Sequence, residues 1–275
     1  MLEEKYYTQE FYECINPGAV ESAKVVVPLI LDLIPCKSVV DVGCGNGAWL
    51  KTFKDYGISH VLGIDGNYID KIKLSILPQE FMSLDLKQPI EIPEKFDLVL
   101  SLEVAEHLPS KYADKFIGSL VKLGPVVVFS AAVPLQGGEN HVNEQWPNYW
   151  VDIFQKKGYL AFDNLREKIW DNKKVEVWYR QNVYLFIKED YLNENKEIKS
   201  QLESRFFSGQ NIVHPDMFVS NREEIIYLRK ELKKNTDPKS ASLKTIIVLG
   251  FLTIRYKIIA LITKILIGFQ VSKSN

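Results

Sequence analysis

Short apolar runs alternate with polar or glycine-containing segments along the first 190 residues of the chain. The runs at residues 39–42 and 60–65 are almost continuously apolar, and each contains or ends in an acid. Such runs are typical of parallel strands that are buried on both faces, and the amphipathic segments between them are typical of helices. The pattern therefore predicts an α/β fold with a doubly wound, mostly parallel sheet.

The same pattern predicts seven strands, and we expect one of the last two to be antiparallel. The strands are expected at residues 39–42, 60–65, 81–86, 96–102, 125–130, 159–165 and 183–188. Helices are expected at residues 46–56, 67–77, 111–123 and 145–158, and the last of these carries Trp146, Trp150 and Phe154 along one side.

The composition changes after the last predicted strand. Residues 1–190 are interpreted as the sheet domain, residues 191–240 as a charged helical extension and residues 241–275 as an apolar C-terminal helix. The apolar stretch 243–269 is interrupted by Arg255, Lys257 and Lys264, so it lacks the roughly 18 to 20 uncharged residues of a simple membrane span. Three interpretations stay open: a helix in a membrane interface, a helix packed on this domain or on a second subunit, and, less favoured, a tilted membrane span.

The bulk composition excludes several classes of protein. The 275 residues are 46% apolar and 25% charged, with a net charge of −1, which describes an ordinary soluble protein and argues against a nucleic-acid partner. The three cysteines have no metal-ligand spacing, and their odd number argues against a disulfide framework. The first residues do not resemble a signal peptide, so the cytoplasm is the expected location, with the inner face of the membrane as an alternative site of attachment.

Three alternating glycines, Gly43, Gly45 and Gly47, follow the first predicted strand and open the first helix. This turn suits an anionic group at a helix N-terminus, and it also satisfies the dinucleotide-binding pattern. Asp41 stands two residues before the first glycine, where it would hold an ammonium group and repel a pyrophosphate. The acid favours S-adenosylmethionine over a nicotinamide dinucleotide.

Two more acids follow strands of the predicted sheet. Asp65 lies 18 positions after Gly47, near the spacing at which an acid meets ribose hydroxyls, although a helix N-cap is an alternative role. Gly66 follows it and is included in the predicted cofactor site. Asp85 ends the third strand, where it is either an acceptor for an adenine amino group or a turn residue.

The order and spacing of four segments, DVGCGNG, GID, SLDL and FDLVLSLEVAEHL, resemble class I S-adenosylmethionine-dependent methyltransferases over about residues 25–190. The resemblance implies a Rossmann-like methyltransferase fold, with Asp41 and the three glycines around the methionine part, Asp65 at the ribose and Asp85 at the adenine. Within that class the chain is similar to small-molecule O-methyltransferases, including those of quinone biosynthesis. Residues 129–159 and 178–182 more narrowly resemble members associated with bacterial surface-polysaccharide pathways.

Glu103, Glu106 and His107 follow the fourth strand, at the edge of the sheet where such folds bind ligands. The quinone methyltransferases have a similar E-x-x-E-H motif that carries a divalent ion, so a metal is one interpretation. The others are that these residues stabilise the start of a local helix or contact the cofactor without a metal. We expect no metal, and we place Glu103 in the cofactor site.

The segment 136–146, which we call the acceptor loop, follows the fifth strand and would lie over the same edge. His141 has a suitable unperturbed pKa to remove a hydroxyl proton, and His107 is the second candidate base. Arg180 is a weaker candidate for a phosphate or carboxylate of the acceptor, and His60 and His214 are interpreted as structural. A stacking wall or the core is predicted for Trp146, Tyr149 and Trp150, and a lid is predicted for Tyr6, Tyr7, Phe11 and Tyr12.

These features together predict an enzyme that transfers a methyl group from S-adenosylmethionine to a small-molecule acceptor, with an oxygen of a sugar or other glycan-pathway intermediate as the favoured site. The competing hypotheses are an NAD-dependent oxidoreductase acting on a nucleotide-linked sugar and a noncatalytic cofactor-binding adapter. The oxidoreductase would need a hydride-transfer site, and no Tyr-x-x-x-Lys pair stands in a suitable place after the fifth strand. The oligomeric state stays open.

Overall fold

The computed structural model describes residues 9–202 and 211–235. The chain divides into two compact units, residues 1–218 and 219–275. The predictions for Tyr6, Tyr7, the hinge at 236–240 and the apolar stretch 243–269 lie outside the described residues, as do the side chains of Phe11 and Tyr12.

One seven-stranded sheet forms the centre of the first unit, in the order β3-β2-β1-β4-β5-β7-β6. Strand β7 is antiparallel to both of its neighbours and the other pairs are parallel, which confirms the predicted doubly wound sheet with one antiparallel strand. The strands are β1 Ser38–Val42, β2 His60–Asp65, β3 Phe81–Ser83, β4 Leu98–Leu102, β5 Val126–Ser130, β6 Tyr159–Phe162 and β7 Tyr184–Lys188.

Nine α-helices occur in the described residues. None of them is long and apolar enough to cross a membrane. They are α1 Gln9–Leu33, α2 Ala48–Asp55, α3 Ala113–Leu123, α4 Pro147–Gln155, α5 Asn164–Ile169, α6 Val177–Asn182, α7 Glu189–Glu194, α8 Lys196–Leu202 and α9 Pro215–Asn235.

The central strands are buried on both faces, as their continuous apolar sequences predict. Along β5, Val126 and Val128 pack into one apolar cluster, while Val127 and Phe129 pack into the other. The strand order reverses between β1 and β4, and a crevice forms at the carboxyl ends of strands where such a reversal occurs. The fold therefore brings the segments after β1, β2, β4 and β5 to one edge of the sheet.

The predicted helix at residues 67–77 is wrong. This segment contains only one 3₁₀ turn, Lys71–Lys73, and a second turn follows at Pro78–Glu80. The Asp70 carboxylate accepts a hydrogen bond from the Ile72 amide and so caps the start of the first turn. The Ser75 amide donates to the Asn46 carbonyl at 2.7 Å, so this amide is hydrogen-bonded to the glycine turn and not to a carbonyl within a helix of its own segment.

Other boundaries also differ from the predictions. Helix α2 begins at Ala48, because Gly47 has a left-handed φ of 83° and forms the cap. Strand β6 ends at Phe162, and residues 164–165, predicted as strand, begin α5. Helix α1 is not among the predicted elements. It contains two internal prolines, Pro17 and Pro28, which local propensity disfavours in a helix.

Candidate functional site

A cavity of about 380 Å³ opens at the carboxyl ends of the central parallel strands. It has the size of a small-molecule site. Among the residues predicted to bind the cofactor or to act as the base, Gly47 alone does not line it. The cavity lining includes Asp41, Gly43, Gly45, Asp65, Gly66, Asp85, Glu103, His107 and His141.

The glycine turn is fixed by backbone conformation and by close packing. Gly43, Gly45 and Gly47 have φ angles of 88°, 54° and 83°, in the left-handed region that favours glycine. A Cβ on Gly43 would lie 2.3 Å from a Val104 methyl group, and one on Gly47 would lie 2.9 Å from Ile76. At these two positions the side chain is excluded by neighbouring protein atoms, and Gly47 acts as the cap of α2.

Asp65 connects the end of β2 to the glycine turn. Its carboxylate accepts hydrogen bonds from the Gly45 amide at 2.7 Å, the Gly66 amide at 2.6 Å and the Tyr68 hydroxyl at 2.6 Å. Burial raises the pKa of Asp65, although these three hydrogen bonds act in the opposite direction. The alternative role as a helix N-cap is wrong, because the next turn is capped by Asp70.

Asp41 is the least compensated acid beside the glycine turn. It is 2% exposed, and burial together with the neighbouring Asp65 carboxylate raises its pKa to about 7. Asp41 forms no ion pair with any residue in the described part of the chain. A ligand that presents a positive charge to this end of the cavity would remove the electrostatic cost of ionising it.

Asp85 follows β3 and is a further acid of the cavity lining. Its side chain is exposed and accepts a hydrogen bond from the Lys87 amide at 3.0 Å, which forms the turn after β3. Both Asp85 and Lys87 line the cavity. Asp85 can therefore stabilise the turn and face a ligand at the same time.

Glu103 has an unusual backbone conformation at the end of β4. Its φ is 55°, in a region that a residue with a side chain rarely adopts. The carboxylate accepts hydrogen bonds from the Gln136 amide group at 2.8 Å and from the Asn182 amide group at 3.1 Å. The net effect of burial and these contacts raises its pKa, with burial as the main cause.

Glu106 lies in the next turn and is fully buried. Neither of its carboxylate oxygens has a hydrogen-bond partner of normal geometry in the described residues. Burial, and then the nearby Glu103 carboxylate, hold the pKa of Glu106 well above its usual range. Its backbone carbonyl accepts hydrogen bonds from the Val142 and Asn143 amides and so anchors the acceptor loop.

His141 is held by Glu144 within the acceptor loop. Its Nδ1 lies 3.0 Å from a Glu144 carboxylate oxygen, and that carboxylate also accepts hydrogen bonds from the Leu135 and Gly137 amides. Gly138 passes over the ring so closely that a Cβ there would lie 2.4 Å from the His141 Nε2. The arrangement fixes the imidazole with its Nε2 away from Glu144.

His107 packs edge-on against the His141 ring, with 4.8 Å between the ring centroids. Burial, and then the neighbouring His141, lower the pKa of His107 to about 4, so it is neutral near pH 7. One ligand atom from each of Glu106, His107 and His141 lies within 4.8 Å of the others. A carboxylate and two imidazoles fit a borderline divalent cation such as Zn²⁺ better than Mg²⁺. This set contains His141 in place of the Glu103 that the sequence motif suggested.

The aromatic residues at the cavity differ from those predicted. Trp146, Tyr149 and Trp150 do not line it, and Trp150 is a core residue that is 3% exposed. Trp49, Tyr68, Trp178 and Tyr179 line the cavity instead. Trp49 follows the glycine turn directly, which was an available signal, whereas the position of Tyr179 depends on how α6 packs.

Arg180 is structural and not an acceptor contact. It is 5% exposed and donates hydrogen bonds to the carbonyls of Val175 and Trp170 and to the Asp216 carboxylate. His214 is 2% exposed and contacts the same group of residues, which confirms its structural interpretation. The His60 Nε2 lies 2.8 Å from a Glu94 carboxylate oxygen at the surface, outside the cavity lining.

Comparison with known proteins adds three findings. Residues 23–167, just over half of the chain, match the family model described as methyltransferase domain. The chain is 33% identical over 105 residues to the ubiquinone biosynthesis O-methyltransferase of Stutzerimonas stutzeri (strain A1501), and the match covers 34% of this chain and 44% of that enzyme. The chain thus spans less than half the length of this curated relative.

Two solved structures are among the similar ones. Magnesium protoporphyrin IX methyltransferase from Synechocystis PCC 6803, with bound SAH, is 18% identical with a TM-score of 0.47, and the match covers 62% of this chain and 84% of that one. An amino pentose methyltransferase from Micromonospora echinaspora, with bound SAM, is 15% identical with a TM-score of 0.49, and the match covers 66% and 98% of the two chains.

Proposed function

The chain belongs to the methyltransferase-domain family, and from this premise we propose that it transfers a methyl group from S-adenosylmethionine to an oxygen of a small-molecule acceptor. The observation that carries the proposal is the sign of the charge around the glycine turn. Asp41, Asp65 and Glu103 line one cavity, and burial is the main cause that raises the pKa of each. S-adenosylmethionine has a cationic sulfonium and an ammonium group, whereas the pyrophosphate of NAD would add negative charge to these acids.

The cavity lining offers a carboxylate for each of three polar parts of this cofactor, the ammonium group, the ribose and the adenine. Asp41 would accept hydrogen bonds from the ammonium group, which would favour its ionised form. Asp65 would accept from the ribose hydroxyls in addition to its protein donors, and Asp85 would accept from the adenine amino group. When bound, the cofactor supplies an activated methyl group, so the protein needs no covalent nucleophile.

The remaining chemistry is removal of the proton from the acceptor hydroxyl, for which His141 is the best-placed base. With its Nδ1–H donating to Glu144, His141 would accept the proton on Nε2, and the Glu144 carboxylate would stabilise the resulting imidazolium. His107 is the weaker base because its pKa of about 4 leaves little basicity at pH 7. Its neutral ring would help to exclude water from the site.

A sugar or related glycan intermediate is the acceptor class that we favour. The support for a sugar is the resemblance of residues 129–159 to methyltransferases of surface-polysaccharide pathways. The name of the curated relative, an O-methyltransferase, supports only an oxygen as the atom that accepts the methyl group. The acceptor loop contributes Gln136, Glu139 and Asn140 to the cavity lining, and these polar groups can hydrogen-bond to hydroxyls.

A divalent cation is a second way in which His141 can act, and the clustered ligand atoms of Glu106, His107 and His141 favour it. The cation would act as a Lewis acid for the acceptor oxygen. Chelation followed by readdition of Zn²⁺, Mn²⁺ or Mg²⁺ distinguishes His141 as a base from His141 as a metal ligand. His141 would be assigned as a metal ligand if wild type loses turnover on chelation and recovers it with one metal. Glu106→Gln should then show no response to metal. Unchanged turnover would retain it as the base.

The decisive experiment compares cofactors and then follows the methyl group. Calorimetry with S-adenosylmethionine, S-adenosylhomocysteine and NAD should give binding of the first two only. Labelled S-adenosylmethionine incubated with the protein and a panel of sugars and sugar nucleotides should then label the hydroxyl acceptor. Tight binding of NAD alone would support the oxidoreductase, and cofactor binding without transfer to any acceptor or cell extract would support the noncatalytic adapter.

We also propose that the enzyme is cytoplasmic and meets the inner face of the membrane through residues 243–269, which lie outside the described residues. The support is the sequence pattern of apolar residues interrupted by Arg255, Lys257 and Lys264. Full-length protein should bind anionic vesicles but not neutral ones, and Lys257→Glu with Lys264→Glu should abolish binding. Lys230→Glu, outside this stretch, is the control, and equal binding of all three proteins would contradict the proposal.

A further inference from the structure

Three side chains from separate parts of the chain form a closed hydrogen-bonded triangle beside the cavity, which we call the Glu103 triangle. The Gln136 Nε2 donates to the Glu103 carboxylate at 2.8 Å, and the Asn182 Nδ2 donates to the same carboxylate at 3.1 Å. The Asn182 Nδ2 also donates to the Gln136 Oε1 at 2.8 Å, which closes the triangle. Glu103 follows β4, Gln136 lies in the acceptor loop and Asn182 ends α6.

The triangle fixes each group in one orientation. The Gln136 Oε1 accepts a second hydrogen bond from the Val133 amide at 3.3 Å, so an amide flip would lose two acceptor contacts and the donor contact to Glu103. The left-handed backbone of Glu103 is held by hydrogen bonds from its amide to the carbonyl and hydroxyl oxygens of Ser130. Strained residues of this kind persist where the surroundings hold them firmly, and they cluster at functional sites.

The triangle joins two parts of the site that are distant in sequence. Glu103 and Gln136 line the cavity, whereas Asn182 does not line it and is 2% exposed. The acceptor loop is otherwise anchored by its backbone, through the Glu144 carboxylate and the Glu106 carbonyl. In the described residues, the contact of Gln136 with Glu103 is thus a side-chain link from this loop to the end of β4.

We propose that Gln136 and Asn182 are positioning residues, which hold the Glu103 carboxylate at the methyl-transfer end of the cavity and thereby keep the acceptor loop closed over the acceptor. The inference deepens the proposed function, on which its kinetic consequence rests. Asn182 acts from outside the cavity, so its replacement should alter the loop and the use of the acceptor without removing a side chain that lines the cavity.

The test uses Asn182→Asp, which replaces the donor with a carboxyl group close to the Glu103 carboxylate. Two carboxylates this close cannot both ionise readily, but a shared proton would restore one hydrogen bond between them. Glu106, His141 and Tyr179 also face Glu103: the Glu106 carboxylate adds to the repulsion, His141 opposes it, and Tyr179 is neutral at both pH values of the test. We therefore expect amide hydrogen exchange of residues 136–146 in full-length protein to be at least tenfold faster than wild type at pH 8. The difference should disappear near pH 5, after correction for intrinsic exchange. Gln136→Glu should behave in the same way and serves as the second variant if Asn182→Asp does not fold.

Asn164→Asp is the matched control, because Asn164 is also a buried asparagine but lies outside the cavity and the triangle. It should leave exchange in the acceptor loop unchanged at both pH values. Loop exchange equal to wild type at pH 8 in the folded variants, or an increase that is the same at pH 5 and pH 8, would overturn the proposal. A structural role based on volume alone would not produce the recovery at low pH.

The exchange experiment needs neither cofactor nor acceptor, so its failure is distinguishable from failure of the proposed function. If wild type transfers methyl groups, Asn182→Asp should raise the acceptor KM or lower kcat by tenfold or more at pH 8, with recovery at lower pH. A loop that opens as expected without any kinetic change would remove the positioning role.

Discussion

Asp41→Asn should have opposite effects on the free protein and on cofactor binding. In the free protein, burial and Asp65 raise the pKa of Asp41 from 3.8 to about 7. An acid whose pKa is higher in the folded state retains its proton more readily there. Stability contributed by that proton is therefore present at low pH and is lost as pH rises from about 4 to 7. An asparagine never ionises, so the variant avoids this loss.

The size of the effect follows from the pKa. A rise from 3.8 to about 7 corresponds to about 4 kcal/mol of stability lost by pH 8. The cavity admits water, which screens the carboxylate, so we expect a realised gain of about 1–2 kcal/mol for Asp41→Asn. For a domain of this size that raises Tm by about 5 °C at pH 8. Loss of a charged hydrogen bond to the ammonium should at the same time weaken S-adenosylmethionine binding by roughly 10- to 100-fold.

The pH dependence of binding gives an independent check. Since cofactor binding would require ionised Asp41, wild-type affinity should rise about tenfold between pH 6 and pH 8, as the ionised fraction grows from about one tenth to about nine tenths. Affinity of Asp41→Asn should be flat over this range. Thermal unfolding without ligand and calorimetry with S-adenosylmethionine measure both effects, with the exposed Asp85→Asn as the stability control. A variant that is less stable than wild type at pH 8, or that binds the cofactor equally well, would refute the reasoning.

Three further predictions concern the acceptor side. His141→Ala should lower kcat by about 10²–10⁴-fold while cofactor affinity in calorimetry is unchanged, and equal turnover would exclude His141 as the base. Glu144→Gln removes the negative charge beside protonated His141, so turnover measured with labelled S-adenosylmethionine should fall about tenfold. An unchanged rate would mean that Glu144 only anchors the loop. Gly138→Ala places a Cβ 2.4 Å from the His141 Nε2 and should lower turnover far more than Gly137→Ala, which has no atom within 4 Å of its new Cβ. Similar losses in both glycine variants would indicate backbone strain as the cause.

The sheet was predictable because each central strand is buried on both faces and therefore has a continuous apolar sequence. Strand β2 was predicted with its observed bounds, His60–Asp65. The segment 67–77 was misread because its structure depends on a distant contact, the hydrogen bond from Ser75 to Asn46 in the glycine turn. Local propensity does not contain such a contact, and the same holds for a helix that includes Pro17 and Pro28.

The part of the candidate site that is formed by residues close in sequence was predictable. The part formed by residues that meet only in the folded protein was not. Asp41 lies near the end of β1 and Gly43 opens the turn that follows it, so their spacing alone brings them together. The Glu103 triangle needs residues 103, 136 and 182, which meet only because β4, β5 and β7 lie side by side in the sheet. The grouping of His141 with His107 likewise depends on how the acceptor loop folds back over the end of β4.

Charge, rather than the glycine pattern, distinguishes the two cofactor classes at this site. A turn with three left-handed glycines fits a pyrophosphate and an aminoacyl group equally well in backbone terms. The difference is that Asp41 is buried without an ion-pair partner in the described residues, whereas Asp65 is already bound to two backbone amides and a hydroxyl. A buried acid that ionises only at a cost in the free protein gains most from a cationic ligand, because binding removes that cost. The cost of ionising Asp41 in the free protein and the proposed selectivity for a cationic methyl donor therefore have the same physical origin.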